Sequence, residues 1–171
     1  MTRLLITGGS SYLGQHLVPI ANKSFDVVYT TFQNNPLQLS SGVQLDLRDE
    51  TAVLRLVAQV KPDIIIHLVG SNRPQDMADV IRRGTQAITK AAVQQQARLI
   101  HLSTDSIFNG ENAPYGETAV PTPINTYGRA KADAETIAAQ HPNYAIVRTS
   151  LIYGLEIMDH GTSWMVKALQ A

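Results

Sequence analysis

Short apolar runs alternate with amphipathic stretches along the whole chain. The apolar runs predict strands at residues 3–7, 25–32, 43–45, 63–69, 98–103 and 145–148. The stretches between them place apolar residues three and four apart, and they predict helices at about 13–22, 50–60, 75–96 and 126–140, with a last helix beginning near 162. This alternation predicts an α/β fold, in which helices cover both faces of a doubly wound parallel sheet.

The composition narrows the classes of function. The chain has 171 residues, which suits one ordinary domain, and its 14 basic and 14 acidic residues balance, so no nucleic-acid partner is expected. The absence of cysteine excludes disulfides, thiolate metal sites and a cysteine nucleophile within this chain, and the histidines show no spacing typical of a metal site. No apolar run reaches membrane-spanning length, so we expect a cytoplasmic protein without a membrane partner.

A glycine-rich turn follows the first predicted strand. Its sequence is Thr7-Gly8-Gly9-Ser10-Ser11-Tyr12-Leu13-Gly14. Glycines in such a turn let the backbone approach a pyrophosphate, and the N-terminus of the next helix offers it free N–H groups. Gly8 and Gly14 hold the outer positions of the pattern, whereas Ser11 holds the middle one, where its hydroxyl could bond a phosphate or crowd it. The turn alone supports a dinucleotide site and an ordinary strand–helix turn about equally.

Polar residues follow the second and third predicted strands. Asp46 comes directly after the third strand, at the edge where open parallel sheets bind ligands, although a capping or solvated aspartate is the simpler interpretation on its own. The second strand ends without an acid for a ribose 2′-hydroxyl and without a base for a 2′-phosphate. The residues there are Thr30, Thr31, Gln33, Asn34 and Asn35. A cofactor at this edge is expected to be NADP or NAD, with NADP favoured because no acid repels its phosphate.

Tyr127 and Lys131 form the most informative pair in the chain. Residues four apart lie on one face of a helix, so the ammonium is expected beside the phenol. An adjacent ammonium favours the phenolate, which predicts a lowered pKa for Tyr127 and proton exchange with a carbonyl or hydroxyl. Thr104 places a second hydroxyl at the end of the fifth strand, although it also suits a turn cap. The order of these features along the chain indicates nicotinamide-dependent redox chemistry on a small carbonyl or alcohol.

Four blocks of sequence resemble one known family, the extended short-chain dehydrogenase/reductases of the NAD-dependent epimerase/dehydratase superfamily. The blocks are residues 102–110, 114–117, 123–131 together with Glu135, and 147–154. The nearest branch resembles the dTDP-4-dehydrorhamnose reductase type, and the likeness covers nearly the whole chain. The resemblance implies a Rossmann-like NAD(P)-binding domain over residues 1–171, with the chain stopping before a small C-terminal substrate domain.

The resemblance also implies roles for individual residues. The expected catalytic residues are Thr104, Tyr127 and Lys131. The expected cofactor-binding residues are Gly8, Ser10, Ser11, Tyr12, Leu13, Gly14, Asp46, Leu47, Val69, Gly70, Tyr127 and Lys131, with Asp46 and Leu47 near the adenine. The chain departs from the family pattern at three places. Ser11 replaces the middle glycine, residues 69–73 lack the usual Ala-Ala pair, and Ile81 stands where many members carry an asparagine that supports a water-linked proton path.

The function implied by this resemblance is NAD(P)-dependent reduction of a nucleotide-linked 4-keto sugar, as in dTDP-rhamnose biosynthesis. Lys131 would hold the nicotinamide ribose and lower the pKa of Tyr127, Tyr127 would protonate the carbonyl oxygen, and Thr104 would orient that oxygen. One alternative is a nucleotide-sugar epimerase or dehydratase with tightly held NAD. Another is a non-catalytic dinucleotide-binding subunit, since the regulatory subunit of methionine adenosyltransferase resembles these reductases. The expected partner is the sugar nucleotide, and a homodimer is left open.

Overall fold

A computed structural model describes residues 1–68, 70, 75–152, 163, 167 and 168. The strands form one parallel sheet in the order β3-β2-β1-β4-β5-β6. They are β1 Arg3–Thr7, β2 Asp26–Thr31, β3 Gly42–Gln44, β4 Ile64–His67, β5 Arg98–Thr104 and β6 Tyr144–Thr149. The helices are α1 Tyr12–Ala21, α2 Glu50–Val60, α3 Met77–Gln95 and α4 Thr126–Ala138, and a short 3₁₀ helix spans Asp105–Ile107. The expected Rossmann-like α/β fold is therefore confirmed.

The central strands β1, β4 and β5 are mostly buried, which explains their near-continuous apolar sequences. Leu5, Ile65 and Leu99 are register partners on β1, β4 and β5, and they share one core cluster with residues of α2 and α3. Leu4 and Ile6 flank Leu5 and belong to a second core cluster, which includes residues of α1. Successive side chains of β1 thus pack against different helical layers, as a doubly wound sheet requires.

The reversal of strand order at β1 positions the site. β2 and β3 extend the sheet on one side of β1, and β4, β5 and β6 extend it on the other. The connections that leave the carboxyl ends of β1 and β4 therefore run in opposite directions and open a crevice there. Ligands of open α/β sheets bind at such a switch point.

Several predicted boundaries differ from those of the structure. β4 ends at His67, two residues before the end of the predicted strand, and Val69 lies outside the described residues. The segment between β5 and α4 begins with the 3₁₀ helix, where the Thr104 hydroxyl accepts a hydrogen bond from the Ser106 N–H at 3.2 Å. The helix predicted from 162 falls largely outside the described residues. Among the described helices, none combines the length and apolar character needed to cross a bilayer.

The start of α1 depends on a single serine. The Ser11 hydroxyl accepts a hydrogen bond from the Gly14 N–H at 3.1 Å, which satisfies one of the N–H groups that a helix N-terminus leaves without a partner. Ser11→Ala should lower the free energy of unfolding by about 1 kcal/mol, whereas Ser11→Gly should cost only a few tenths. Urea unfolding measures both changes.

Ser24→Ala is the matched control, because Ser24 is exposed in the segment that follows α1. Its stability should stay within about 0.5 kcal/mol of the unmodified chain. Equal urea midpoints for Ser11→Ala and Ser24→Ala would mean that the Ser11 hydroxyl does not stabilise the helix.

Candidate functional site

A cleft of about 1170 Å³ opens at the carboxyl edge of the sheet. It exceeds the roughly 300–1,000 Å³ of ordinary small-molecule pockets, so it has room for an extended ligand. The predicted site residues that line it are Gly8, Ser10, Ser11, Tyr12, Leu13, Asp46, Leu47, Gly70, Thr104, Tyr127 and Lys131. Residues predicted from five separate parts of the sequence therefore meet at one surface.

The glycine-rich turn is pressed against α1. A Cβ atom at Gly14 would collide with the backbone of Gly8 and Gly9, so only glycine permits this contact. Gly8 also has a φ of 78°, a conformation that favours glycine. The first N–H groups of a helix have no partner within the helix, and Tyr12 and Leu13, which begin α1, line the cleft. The turn therefore presents backbone donors and the positive end of a helix dipole, as an anionic ligand requires.

Thr30 anchors this turn, a role that the sequence interpretation missed. The Gly8 N–H donates to the Thr30 hydroxyl at 3.2 Å, and the Gly9 N–H donates to the Thr30 carbonyl at 2.8 Å. Gln33 and Asn34 line the cleft as expected for the end of the second strand. Asn35 does not, because its side-chain oxygen accepts a hydrogen bond from the Tyr29 hydroxyl at 2.8 Å.

Ser11 uses its hydroxyl oxygen as an acceptor for the Gly14 N–H and still has a proton to donate. The cap therefore fixes the side chain at the cleft without consuming its donor. This arrangement favours a hydrogen bond to a ligand phosphate over the alternative in which Ser11 only crowds it.

Asp46 lies at the cleft as part of an ion pair. Its carboxylate accepts hydrogen bonds from the Arg48 Nη2 at 2.6 Å and Nε at 3.0 Å, and Arg48 Nη1 lies 3.2 Å from the Asp76 carboxylate. The hydrogen bond with Asp46 raises the pKa of Arg48 above its ordinary value, so Arg48 stays charged. Arg48 also lines the cleft. The sequence signal for it was its place two residues after Asp46.

Two features bring Tyr127 to Thr104. The Asn125 side chain caps α4 by accepting a hydrogen bond from the Gly128 N–H at 2.7 Å. Gly128 in turn packs on the 3₁₀ helix, where a Cβ atom would collide with the Ser106 carbonyl group. The first turn of α4 therefore lies directly over the segment that follows β5.

The predicted lowering of the Tyr127 pKa is wrong. Burial of the phenol raises its pKa above the ordinary value, the hydrogen bond with Thr104 opposes this change, and the charge of Asp105 adds to it. The Lys131 ammonium was expected beside the phenol. Instead, Lys131 Nζ donates a hydrogen bond to the Leu102 carbonyl at 2.5 Å. Four-residue spacing placed both residues on one helix face, but the sheet below supplies the lysine with a different acceptor. Tyr127 therefore stays protonated at neutral pH and suits proton donation.

Lys131 itself is a buried cation, only 3% exposed. Burial lowers its pKa to about 8, and the charge of Glu135 opposes this change. Glu135 is also buried, and its carboxylate is paired with the Arg148 guanidinium at 2.8 Å. A lysine with such a pKa exchanges protons near neutral pH far more readily than an exposed one.

The sequence matches the RmlD substrate binding domain over residues 1–170. The chain belongs to the RmlD substrate binding domain family. The resemblance to dTDP-4-dehydrorhamnose reductases that the four sequence blocks indicated is thereby confirmed.

The relatives of this RmlD-family chain include two kinds of protein, a methionine adenosyltransferase subunit and a dTDP-4-dehydrorhamnose reductase. Methionine adenosyltransferase 2 subunit beta of Danio rerio is 32% identical over 171 residues, which cover 89% of this chain and 48% of that protein. A dTDP-4-dehydrorhamnose reductase of Sinorhizobium fredii is 32% identical over 177 residues, which cover 98% of this chain and 55% of that protein. The chain thus spans about half the length of the curated relatives it matches.

A solved structure of the family has the same architecture. The dTDP-4-dehydrorhamnose reductase of Bacillus anthracis, in complex with NADP, superposes with a TM-score of 0.80 at 26% identity. The match covers 98% of this chain and 60% of that one. The match therefore includes the whole sheet and the cleft at its edge.

The contact between Gly128 and the 3₁₀ helix can be tested by adding one methyl group. Gly128→Ala should lower the free energy of unfolding by about 1–3 kcal/mol, because the new Cβ would meet backbone atoms that cannot rotate away. Chemical denaturation measures the loss. A variant as stable as the unmodified chain would contradict the tight packing described for α4.

Gly116→Ala is the matched control, because a Cβ atom there would meet nothing within 4 Å. It should leave stability unchanged or raise it slightly, since alanine restricts the unfolded chain more than glycine does.

Proposed function

We propose that this chain binds a nicotinamide dinucleotide in the cleft and that the protein reduces the keto group of a nucleotide-linked 4-keto sugar. The observation that carries the proposal is that Thr104, Tyr127 and Lys131 line the same cleft as the glycine-rich turn. A hydroxyl, a protonated phenol and a low-pKa lysine are the groups that carbonyl reduction needs beside a dinucleotide.

The residues of the cleft fit such a cofactor. The N-terminus of α1 suits a pyrophosphate, and the Gly14 contact lets the turn and helix approach each other closely enough to form that cradle. Gly70 has no side chain where β4 leads into the cleft, and a Cβ atom there would lie 4.0 Å from the Tyr127 hydroxyl. This position therefore keeps the space beside the phenol open for the reacting groups.

The chain's residues divide the remaining chemistry between them. The bound dinucleotide would supply hydride. Tyr127 holds a proton at its hydroxyl because its pKa is raised, and would deliver it to the carbonyl oxygen of the sugar. Thr104 would orient that oxygen by a hydrogen bond, and Lys131 would bind the nicotinamide ribose through a remaining N–H group. Positioning and electrostatics therefore carry the rate on the protein side.

We favour NADP over NAD. Gln33 and Asn34, which line the cleft after β2, are neutral and do not repel a 2′-phosphate. The nearest acid that we assign to the adenine side is Asp46, and Arg48 compensates its charge at 2.6 Å.

A second function is favoured by one observation. The match to methionine adenosyltransferase 2 subunit beta is as strong, at 32% identity, as the match to the reductase. A dinucleotide-binding subunit of another enzyme would keep the cradle but would not need Tyr127 as a proton donor. A measurement of turnover therefore distinguishes the two proposals, whereas a measurement of cofactor binding does not.

Cofactor binding is tested by thermal and chemical unfolding with NADPH or NADH. Ligand at about 100 times its dissociation constant should stabilise the chain by roughly 2.7 kcal/mol. Lys131→Met should weaken binding, because it removes the proposed ribose contact, whereas Tyr127→Phe should leave affinity nearly unchanged. If neither nucleotide shifted unfolding at millimolar concentration, the proposed site would be wrong. Tighter binding of NADH than of NADPH would overturn the preference for NADP.

Turnover tests the role of Tyr127. In the full-length protein, Tyr127→Phe should reduce turnover of a 4-keto sugar nucleotide by about 10²–10⁴-fold, because it removes only the proton donor. Tyr144→Phe is the control, since Tyr144 lies on the edge strand β6 and is 43% exposed. Near-normal turnover by Tyr127→Phe would refute the mechanism. A protein that binds cofactor but reduces no such sugar would favour the regulatory subunit.

A further inference from the structure

The buried ammonium of Lys131 has a second neighbour besides the Leu102 carbonyl. An ammonium has three N–H donors, and His101 Nε2 lies 3.5 Å from Lys131 Nζ. His101 is on β5, directly before Leu102, and its ring is fully buried. The strand below α4 therefore offers Lys131 one backbone acceptor and one ring nitrogen from adjacent residues.

His101 is a neutral group at any working pH. Burial, assisted by the charge of Lys131, lowers its pKa to about 2. A neutral imidazole has one N–H and one lone pair, so its two nitrogens cannot both donate. Beside a charged Lys131 the favoured tautomer has the lone pair on Nε2 and the proton on Nδ1. Among the described residues, His101 Nδ1 is buried without a hydrogen-bond partner, so no second group competes for this choice.

The neighbouring histidine, His67, is not available to His101 or Lys131. Its Nδ1 lies 2.7 Å from the Thr7 hydroxyl, and its Nε2 lies 3.2 Å from the Thr85 hydroxyl. Because Thr85 donates its proton to the Ile81 carbonyl at 2.7 Å, His67 Nε2 must donate to Thr85. The two rings are 5.4 Å apart, but both nitrogens of His67 are already used. Lys131 is thus the hydrogen-bonding neighbour that the described structure gives to His101.

We propose that His101 is a positioning residue, whose Nε2 lone pair holds the Lys131 ammonium at the floor of the cleft together with the Leu102 carbonyl. This inference deepens the proposed function, in which Lys131 contacts the cofactor. Two neutral acceptors hold the ammonium in place without the strong attraction of a carboxylate. The lysine therefore keeps one donor for a ligand and remains able to lose its proton near neutral pH.

The other ionisable groups around Lys131 do not replace this contact. They are Tyr127 and Glu135 on α4, His67 on β4 and Arg148 on β6. Glu135 favours the charged lysine, but both of its carboxylate oxygens are bonded to Arg148, at 3.0 and 2.8 Å. The imidazole of His101 remains the side-chain acceptor that faces the ammonium directly.

Three substitutions of His101, to Gln, to Asn and to Phe, test the proposal. The Gln side chain places its terminal oxygen near the position of Nε2, Asn reaches only the position of Nδ1, and Phe keeps the ring without an acceptor. The measurement is a pH titration of the lysine side chains of the 171-residue chain by ¹³C and ¹⁵N NMR, with Lys131→Met to assign the Lys131 signal. An acceptor favours the charged form, so its loss lowers the lysine pKa.

We expect the acid dissociation constant of Lys131 to rise about tenfold in His101→Phe and His101→Asn and to stay near the original value in His101→Gln. Ser103→Ala is the matched control. It removes a buried hydroxyl two residues along β5 that has no hydrogen-bond partner among the described residues, and it should not move the Lys131 titration. Circular dichroism and the dispersion of backbone amide signals identify any variant that fails to fold.

An unchanged Lys131 titration in folded His101→Asn would overturn the proposal, even if His101→Phe failed to fold. An equal change of the Lys131 acid dissociation constant in His101→Gln and His101→Asn would also overturn the proposal, because the effect would then come from altered packing and not from the lost acceptor. The titration needs no cofactor, so it separates this inference from the proposed function. A chain that binds no dinucleotide but shows the Gln–Asn difference would refute the proposed function and keep the role of His101.

Discussion

Two helix N-termini reach the carboxyl edge of the sheet because a glycine lies at each contact. Gly14 lets α1 approach the turn after β1, and Gly128 lets α4 approach the 3₁₀ helix after β5. In both cases the opposing atoms belong to the backbone, which cannot rotate away as a side chain can. The remaining geometry of the cleft depends on these contacts. Without the first, backbone N–H groups would not face the crevice, and without the second, Tyr127 would not lie beside Thr104.

Burial dominates the electrostatics of this cleft. It raises the pKa of Tyr127 and lowers the pKa of Lys131, so both groups are pushed toward their neutral forms. The same cause lowers the pKa of His67 to about 3. The cleft therefore contains a protonated phenol and a lysine close to deprotonation, while two neutral imidazoles, His67 and His101, lie buried on β4 and β5. Such a set can donate a proton to a ligand beside it, and the charge of Asp105, which also lines the cleft, helps to keep the phenol protonated.

Much of the fold could be predicted from the sequence because burial requires apolar residues at regular positions along strands and helices. Strands covered on both faces appear as continuous apolar runs, and the run at 63–69 indicated β4 for that reason. The Asp49 cap of α2 was also predictable, since an acceptor side chain before a helical pattern has a local role. The cleft residues were found because strand ends meet at one edge of a parallel sheet. These properties depend on local sequence and on topology, which a single chain reveals.

Contacts between distant residues could not be predicted in the same way. Helical spacing placed Tyr127 and Lys131 on one face, but it contained no information about the Leu102 carbonyl, which takes the ammonium. His101 lies within an apolar strand, where a core histidine is the ordinary interpretation, and its contact with Lys131 joins residues 30 positions apart. The pairing of Arg48 with Asp76 could not be predicted, because it joins the segment after β3 to the residue that precedes α3. Each missed feature is a side-chain contact across elements, fixed only once the sheet is assembled.

The burial of Lys131 bears on whether this residue does more than support the fold. Removing an ammonium from water costs several kcal/mol, and two neutral acceptors recover only part of this cost. An apolar side chain of similar length would fill the same space without that loss. A chain that used Lys131 neither to bind a ligand nor for catalysis would therefore gain stability by replacing it. Retaining a lysine that is 3% exposed, with a pKa of about 8 and at hydrogen-bond distance from a strand carbonyl, is consistent with use of its charge or its proton. On this physical ground a role in ligand binding or proton transfer accounts for Lys131 more directly than a purely structural one.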